Sequence, residues 1–467
     1  MRGIIYALIA LIGFGVTELR AQALAAPPAP LLTDTEIALA KTENVVEIMA
    51  AAKGWYEEGD LRRYTYALKR LVDLRPYNGA FMFKLAQAYG EQDMKTPAYD
   101  LLLRMQAQGL SYDPSKFDEF KPISTTNAYT YIVEALQTNA EPWGQGKVSA
   151  TVASDVELLE SLAYDSKSER FLIGSARTGQ ILAVDADGNA VERAKPAKEG
   201  DWWGVLALAV DNERDSIWVA STVLPHYAGY KREELGRGVI VRLDLASGEL
   251  LERFDIPFDG KPHVVAGMTV APNSGTLYAV DGVSNQLYQI KDSSIAPLVA
   301  LPASINLRGI TVDPQERYLY LSDYEMGLMV ADMNKGAVVN LTLKGQNFGG
   351  IDHLSWYKDH LIAVQNVNQP KRISRIALSA EGTAITMVQP LEANKPELAE
   401  PTVGTLVGDD FYFIANSQRD LYGPDGKLIA GAKPVRRQLY QVPAGMGMRS
   451  LAPPQITRPQ SAKADGE

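Results

Sequence analysis

Charged and polar side chains recur at two fixed positions of a repeated β-strand pattern in this chain. The first position lies two residues before the opening strand of each repeat and holds Glu160, Leu206, Ala266, Arg308, Asp352 and Thr402. The second position closes the next strand and holds Ser175, Ser221, Asp281, Asp323, Asn366 and Asn416. Carboxylates and amides bind hard cations or polar ligands, and a guanidinium binds anions. The candidate ligand-binding residues are therefore Arg308, Glu160, Asp281, Asp323, Asp352, Asn366, Asn416, Ser175 and Ser221.

The elements that position these side chains are short strands in a repeated unit. The opening strands start at residues 162, 208, 268, 310, 354 and 404, and two further apolar runs follow each of them. Strands in threes or fours at a period of about 40 to 50 residues are typical of propeller blades, so six units predict a six-bladed β-propeller over residues 147–445. Opening strands begin, and second strands end, at the same end of the central channel. We call this end the mouth, and the two sets of positions predict a polar pocket there.

The sixth unit lacks an outer strand, whereas a spare strand precedes the first unit. Residues 147–153 are therefore expected to pair with residues 438–442, which closes the ring and removes both open edges.

The segments "ESLAYD", "GMTVAP" with "LYAVD", and "GITVDP" with "LYLSD" resemble the senescence-marker-protein/gluconolactonase/strictosidine-synthase superfamily of six-bladed propellers, whose repeats are shared with NHL-type propellers. In the lactonase branch a divalent cation is held at the channel mouth, and the resemblance places Glu160 at the first ligand position. The later ligand positions fall at Ala266 and Arg308. Alanine has no donor atom, and a guanidinium has no lone pair to offer a metal.

Three interpretations of the mouth remain open at this point. Arg308 could pair with Glu160 and Asp352, or it could anchor a small polar or anionic ligand. Alternatively, a hard cation such as calcium, or zinc, could be bound by Glu160, Asp281, Asp323 and Asp352; otherwise no cofactor is expected. Weak catalytic candidates are Glu160, Asp352 and His353. The favoured function is non-catalytic recognition of a small polar ligand or a partner protein. The alternative is a metal-dependent lactone or ester hydrolase with a rearranged site.

The first third of the chain has helical apolar spacing and few β-branched runs. Residues 35–55 are predicted to form one helix, and the start "GD" at 59–60 recurs as "QD" at 92–93. This spacing resembles a degenerate tetratricopeptide repeat, which predicts a helical domain over residues 33–140 that binds a peptide or partner protein, or that only caps its neighbour. The expected fold is thus multidomain, α followed by all-β.

Composition narrows the class of protein further. The net charge is −10 and no basic stripe is present, which argues against nucleic acid as a partner. The absence of cysteine excludes disulfides and thiolate catalysis. The opening residues "MRGIIYALIALIGFGV" have one Arg followed by a short apolar run, and "ALA" at 23–25 fits a cleavage site, so residues 1–25 are predicted to be a cleaved signal peptide. Export to the periplasm or outside the cell, with no membrane span after cleavage, is therefore expected. Residues 446–467 are predicted to be a disordered tail.

Overall fold

The computed structural model describes residues 33–445 except 258, 302 and 303. The predicted signal peptide and the predicted tail lie outside the described residues. The helices are α1 Asp34–Lys41, α2 Val45–Glu57, α3 Leu61–Leu74, α4 Gly79–Glu91, α5 Lys95–Ala107 and α6 Asn127–Thr138. The described part of the chain divides into two compact units between residues 42 and 43, and α1 belongs to the first.

The helix predicted over residues 35–55 is wrong, because the chain breaks it at residues 42–44. The Asn44 side chain accepts hydrogen bonds from the backbone N–H groups of Val46 and Glu47, which caps the start of α2. Thr33 caps α1 in the same way, and Glu36 completes the capping box. Two caps within eleven residues therefore outweigh the continuous apolar pattern. From α2 onward each helix packs against the next.

Six antiparallel sheets follow the helices, which confirms the predicted order of helices followed by a six-bladed β-propeller. Two short strands come first, β1 Trp143–Gly144 and β2 Lys147–Thr151. Blade one contains β3 Leu159–Asp165, β4 Arg170–Ser175, β5 Ile181–Val184 and β6 Ala190–Ala194. Blade two contains β7 Gly204–Asp211, β8 Ser216–Thr222, β9 Gly238–Asp244 and β10 Leu250–Asp255. Blade three contains β11 Val265–Val270, β12 Leu277–Asp281, β13 Gln286–Lys291 and β14 Ser294–Ala300.

The second half of the ring repeats this plan. Blade four contains β15 Leu307–Val312, β16 Tyr318–Asp323, β17 Gly327–Asp332 and β18 Ala337–Leu341. Blade five contains β19 Ile351–Tyr357, β20 His360–Gln365, β21 Arg372–Leu378 and β22 Ile385–Ala393, and β1 adds a fifth strand to it. Blade six contains β23 Gly404–Val407, β24 Asp410–Ile414 and β25 Gln438–Pro443.

The ring closes where the sequence predicts it. β2 pairs antiparallel with β25, from Lys147 opposite Gln441 to Thr151 opposite Gln438, and so supplies the outer strand of blade six. Each opening strand contacts the opening strand of the next blade, and β23 contacts β3. In the described part of the propeller, one large apolar cluster lies between each pair of neighbouring blades.

Replacing Val152 with proline should open this closure. The Val152 N–H donates to the Arg437 carbonyl at 2.9 Å, and proline has no N–H to donate. Val152→Ala keeps the donor and loses only buried methyl groups, so it is the matched control. We expect Val152→Pro to be less stable than Val152→Ala by about 1 to 3 kcal/mol. Urea unfolding measures this difference, and equal midpoints would show that the pairing contributes little.

The helical region from α2 to α6 is fixed to the mouth side of blade five. The Asn368 side chain accepts from the Gly79 N–H at 3.0 Å and donates to the Tyr77 carbonyl at 3.0 Å. Asn347 donates to the same Tyr77 carbonyl at 3.1 Å. Both asparagines lie in loops that join strands at the mouth end, 342–350 and 366–371. The helical region therefore stands beside the mouth.

A buried arginine completes this attachment. Arg372 on β21 is 5% exposed, and its guanidinium donates to Gln365 Oε1 at 2.8 Å, to the Gln108 carbonyl at 3.1 Å and to the Asn347 carbonyl at 3.1 Å. Burial lowers the pKa of Arg372 to about 10. Among the described residues no carboxylate pairs with it. One cation thus joins the end of α5 to strand β20 and to the 342–350 loop of the propeller through neutral acceptors.

Candidate ligand-binding site

A cavity of about 270 Å³ lies at the mouth of the channel. All six first-position residues line it: Glu160, Leu206, Ala266, Arg308, Asp352 and Thr402. In blades one to five a β-bulge falls at this position, between Leu159 and Ser161 in blade one and at the matching place in the next four. A bulge leaves one residue outside the ladder and redirects its side chain. The repeated bulge therefore turns the first-position side chains toward the channel.

Of the second-position residues, the structure brings only Asn366 to this cavity. The other five hydrogen-bond backbone groups in the turns around the mouth. Ser175 donates to the Glu157 carbonyl at 2.7 Å, and Ser221 accepts from the Trp203 N–H at 2.6 Å. Asn416 accepts from the Gln438 N–H at 2.7 Å. These side chains hold the strand ends in place.

The carboxylates of Asp281 and Asp323 are used in the same way. Asp323 accepts from four backbone N–H groups, which belong to residues 305, 306, 325 and 326. Asp281 accepts from three, at residues 264, 283 and 284, and from the imidazole of His263 at 2.8 Å. Both side chains are fully buried. Neither lines the mouth cavity, since their oxygens already face the backbone.

The residues that do face inward stand one position further along the chain. Tyr324, Asn366 and Ser417 line the mouth cavity, and Ala176 and Thr222 line a small neighbouring one of about 10 Å³. Because side chains alternate along a strand, a shift of one residue moves a side chain to the other face. The sequence pattern assigned Asn366 to the end of the second strand of blade five, but β20 ends at Gln365, so Asn366 lies one residue beyond it. Gln365 donates to the carbonyls of Asn347 and Gly349, as a turn-holding residue does.

One side of the cavity is built around Arg308. Its guanidinium lies over the Tyr324 ring, 5.4 Å from the ring centroid, which is within cation–π distance. Tyr324 donates its hydroxyl to Asn366 Oδ1 at 2.5 Å. Burial, together with the charge of Asp352, raises the pKa of Tyr324, so this hydroxyl stays protonated. The buried Arg308 Nε has no hydrogen-bond partner.

The ion pairs predicted between Arg308 and both Glu160 and Asp352 are not formed. Among the described residues Arg308 has no carboxylate within ion-pair distance. Asp352 instead accepts from Thr402 Oγ1 at 2.6 Å and from Asn366 Nδ2 at 3.3 Å. Stacking on Tyr324 holds the guanidinium in the cavity wall, away from the acids.

The cavity wall also contains an acidic pair, Glu160 and Glu400, of which the sequence patterns indicated only Glu160. Glu160 accepts from Ser417 Oγ at 2.9 Å, and Glu400 accepts from the backbone N–H of Arg419 at 2.9 Å. Burial raises the pKa of Glu160 to about 7, although Arg419, Ser417 and Arg437 favour its charged form. Burial and Asp420 raise the pKa of Glu400 as well.

Tyr324, Glu400, Ser417 and Arg419 are therefore the site residues that the sequence patterns missed. A signal for the last two does exist in the spacing. The third strand of blade six starts at residue 438, whereas its second strand ends at residue 414. That long connection is an insertion at the mouth, comparable to the one between residues 222 and 238 of blade two. Insertions at this end of the ring supply cavity residues.

His353 lies away from the mouth, although it follows Asp352 directly. It lines a wider cavity of about 660 Å³ that is surrounded by the middle and far ends of the opening strands. Its Nε2 is 2.9 Å from Ser355 Oγ, and burial lowers its pKa to about 4. The structure thus brings Glu160 and Asp352 to one cavity and His353 to another, so His353 does not shuttle protons at the mouth.

The mouth residues do not fit a divalent cation. Ala266 offers no donor, Arg308 brings a positive charge, and the carboxylates of Asp281 and Asp323 face backbone donors. Within residues 33–445 as described, no three His, Asp or Glu side chains form a group that could hold a metal ion. We therefore derive no metal-assisted step.

Comparisons with known proteins assign no family to this chain. No family profile and no curated protein sequence matches the chain. Among solved structures, a crystal structure of a nidogen/laminin complex is 17% identical with a TM-score of 0.38, covering 52% of this chain and 85% of that one. The β-propeller domain of Cps50 (Swd1) from Myceliophteria thermophila is 11% identical with a TM-score of 0.38, covering 58% and 81%. None of the helices in the described part of the chain is long and apolar enough to cross a membrane.

Proposed function

We propose that this chain is an exported, non-catalytic binding protein. In this proposal the mouth cavity takes a small anionic or polar ligand, and the helical region holds a partner protein or peptide. The signal-like pattern of residues 1–25 supports export, and the cavity at the mouth supports ligand binding.

The observation that carries the proposal is the state of Arg308. Its guanidinium is positioned by Tyr324, its Nε is buried without a partner, and no acid neutralises it. A cation in a partly desolvated cavity interacts strongly with a ligand carboxylate or phosphate, because charge-assisted hydrogen bonds are stronger than neutral ones. Arg308 is thus the anchor of the proposed site.

Binding is favoured over lactone hydrolysis by the same residues. The lactonase branch of the resembled superfamily relies on a divalent cation, and here two of its expected ligand positions hold Ala266 and Arg308.

A scaffold role for the helical region rests on its attachment and its surface. Arg372 and the two asparagines fix it beside the mouth. Helix α2 exposes Val46, Met49 and Tyr56 on one face, as helices that bind partners often do. The tetratricopeptide-like spacing supports the same role.

Substitution of Arg308 tests the ligand site. Wild type and Arg308→Gln should be compared by thermal shift against phosphate, lactate, succinate and citrate, followed by calorimetry on any hit. We expect Arg308→Gln to bind the best anion at least tenfold more weakly, because one charge-assisted contact is worth about 1.5 to 3 kcal/mol.

Arg317→Gln provides the matched control for that experiment. Arg317 also lies over a tyrosine, Tyr318, at 5.2 Å, but it is in the hairpin after β15, outside the mouth cavity. It should bind the same anion as tightly as wild type. Equal affinities for wild type and Arg308→Gln would overturn the proposed site.

A further inference from the structure

The hydrogen-bonding capacity of the mouth cavity is divided unequally between acids and cations. Its three carboxylates already accept protein hydrogen bonds: Asp352 from Thr402, Glu160 from Ser417, and Glu400 from the Arg419 N–H. These acids are therefore partly satisfied without a ligand.

The two guanidiniums in the cavity wall are not satisfied. Arg308 lies in the bulge of blade four, and Arg419 lies in the insertion of blade six. Within the described residues neither side chain donates a hydrogen bond or forms an ion pair. Each guanidinium has five N–H donors and no acceptor. The two side chains together therefore offer ten N–H donors to a ligand.

The positions of these cations limit the ligand. Blade five lies between them, and it contributes Asp352 and Asn366 to the wall. One small monoanion would contact one guanidinium and leave the other without a direct ion-pair partner. A ligand with an acidic group at each end compensates both.

The neighbouring acids favour this arrangement. Glu160 is about nine-tenths buried, and Arg419, Arg437 and Glu400 surround it, with His226 on the neighbouring small cavity. Because burial raises the pKa of both Glu160 and Glu400, each loses its charge readily when an anion approaches. The cavity then presents two cations against the single charge of Asp352.

We propose that the mouth ligand is a small dicarboxylate whose two ends bind Arg308 and Arg419. This inference rests on the proposed function, because it gives the chemical class of the ligand for the same site. A cavity of about 270 Å³ is many times what one water needs, so it has room for a small dicarboxylate.

Calorimetry with matched acids tests the proposal. Succinate, glutarate and adipate are compared with butyrate, pentanoate and hexanoate on wild type, Arg308→Gln, Arg419→Gln and the control Arg317→Gln, at pH 6.5 and constant ionic strength. We expect the best dicarboxylate to bind wild type at least tenfold more tightly than the monocarboxylate of equal length. We expect each single mouth variant to lose this preference and the control to keep it.

The outcomes separate the inference from the proposed function. If Arg419→Gln binds dicarboxylates as wild type does while Arg308→Gln does not, the two-ended ligand is overturned and the Arg308 site stands. If no dicarboxylate binds wild type more tightly than its monocarboxylate, the inference is also overturned. If Arg308→Gln changes no affinity, the proposed site falls with it. Arg419→Lys, which keeps the charge, and thermal melts of each variant distinguish lost binding from lost folding.

Discussion

Replacing Arg372 with methionine is expected to lower the free energy of unfolding by about 2 to 4 kcal/mol and to loosen the helical region from the propeller. Methionine fills a similar volume but donates nothing. The Gln108 carbonyl would then be buried without its guanidinium partner. Gln365 Oε1 and the Asn347 carbonyl would also lose the hydrogen bonds that they accept from Arg372. Relief of the buried charge offsets part of this cost, which is why the expected value is below that of a broken buried ion pair.

Two measurements check this expectation. Urea unfolding gives the loss of stability, and limited proteolysis between α6 and β2, at residues 139–146, reports whether the helical region has come loose. Arg232→Met, at an exposed position in the blade-two insertion, is the control and should change stability by less than about 0.5 kcal/mol. If Arg372→Met is cut no faster than the control, the guanidinium does not hold the two parts together.

Replacing Glu160 with glutamine is expected to remove a pH dependence of stability between about pH 4.5 and 7. Burial raises the pKa of Glu160 from 4.5 to about 7. Over this range the folded protein keeps a proton that the unfolded chain releases. The stabilisation is therefore complete below pH 4.5 and is lost as the pH rises through 7. The difference corresponds to about 3 kcal/mol.

Glutamine mimics the protonated acid and still accepts from Ser417. At pH 8 Glu160→Gln should thus be more stable than wild type by about 3 kcal/mol, whereas near pH 4.5 the two should be equal. Urea unfolding at four pH values and constant ionic strength measures the difference. Glu381→Gln, at an exposed hairpin, should follow wild type throughout. If the free energies of unfolding of wild type and Glu160→Gln change with pH in the same way, the pKa of Glu160 is not raised by folding.

The two expectations concern different parts of one arrangement. Arg372 fixes the helical region beside the mouth, and Glu160 adjusts the charge of the cavity that opens there. A dicarboxylate bound at Arg308 and Arg419 would favour the protonated form of Glu160, so its affinity should rise as the pH falls toward 6.

Prediction from the sequence worked where the signal is local and repeated. The alternation of apolar runs and turn residues is set within about fifteen residues, so six blades and their order could be predicted from it. The missing outer strand after Val442 and the spare strand at Lys147 also predicted the closing pair, which β2 and β25 form. The break at Asn44 was missed because a cap is a single side chain within a longer helical pattern.

By itself, the sequence determined the ring and the six first-position side chains that line its mouth, because periodicity fixes where each opening strand begins. Only the tertiary structure decided which further side chains complete the cavity. A strand end presents alternate residues to opposite faces, so one residue separates Asp323, bound to the backbone, from Tyr324 in the cavity wall. Glu400 and Arg419 reach the site through loops. Arg308 contacts the aromatic ring of Tyr324, because the packing of neighbouring side chains, and not the spacing in the sequence, orients a side chain.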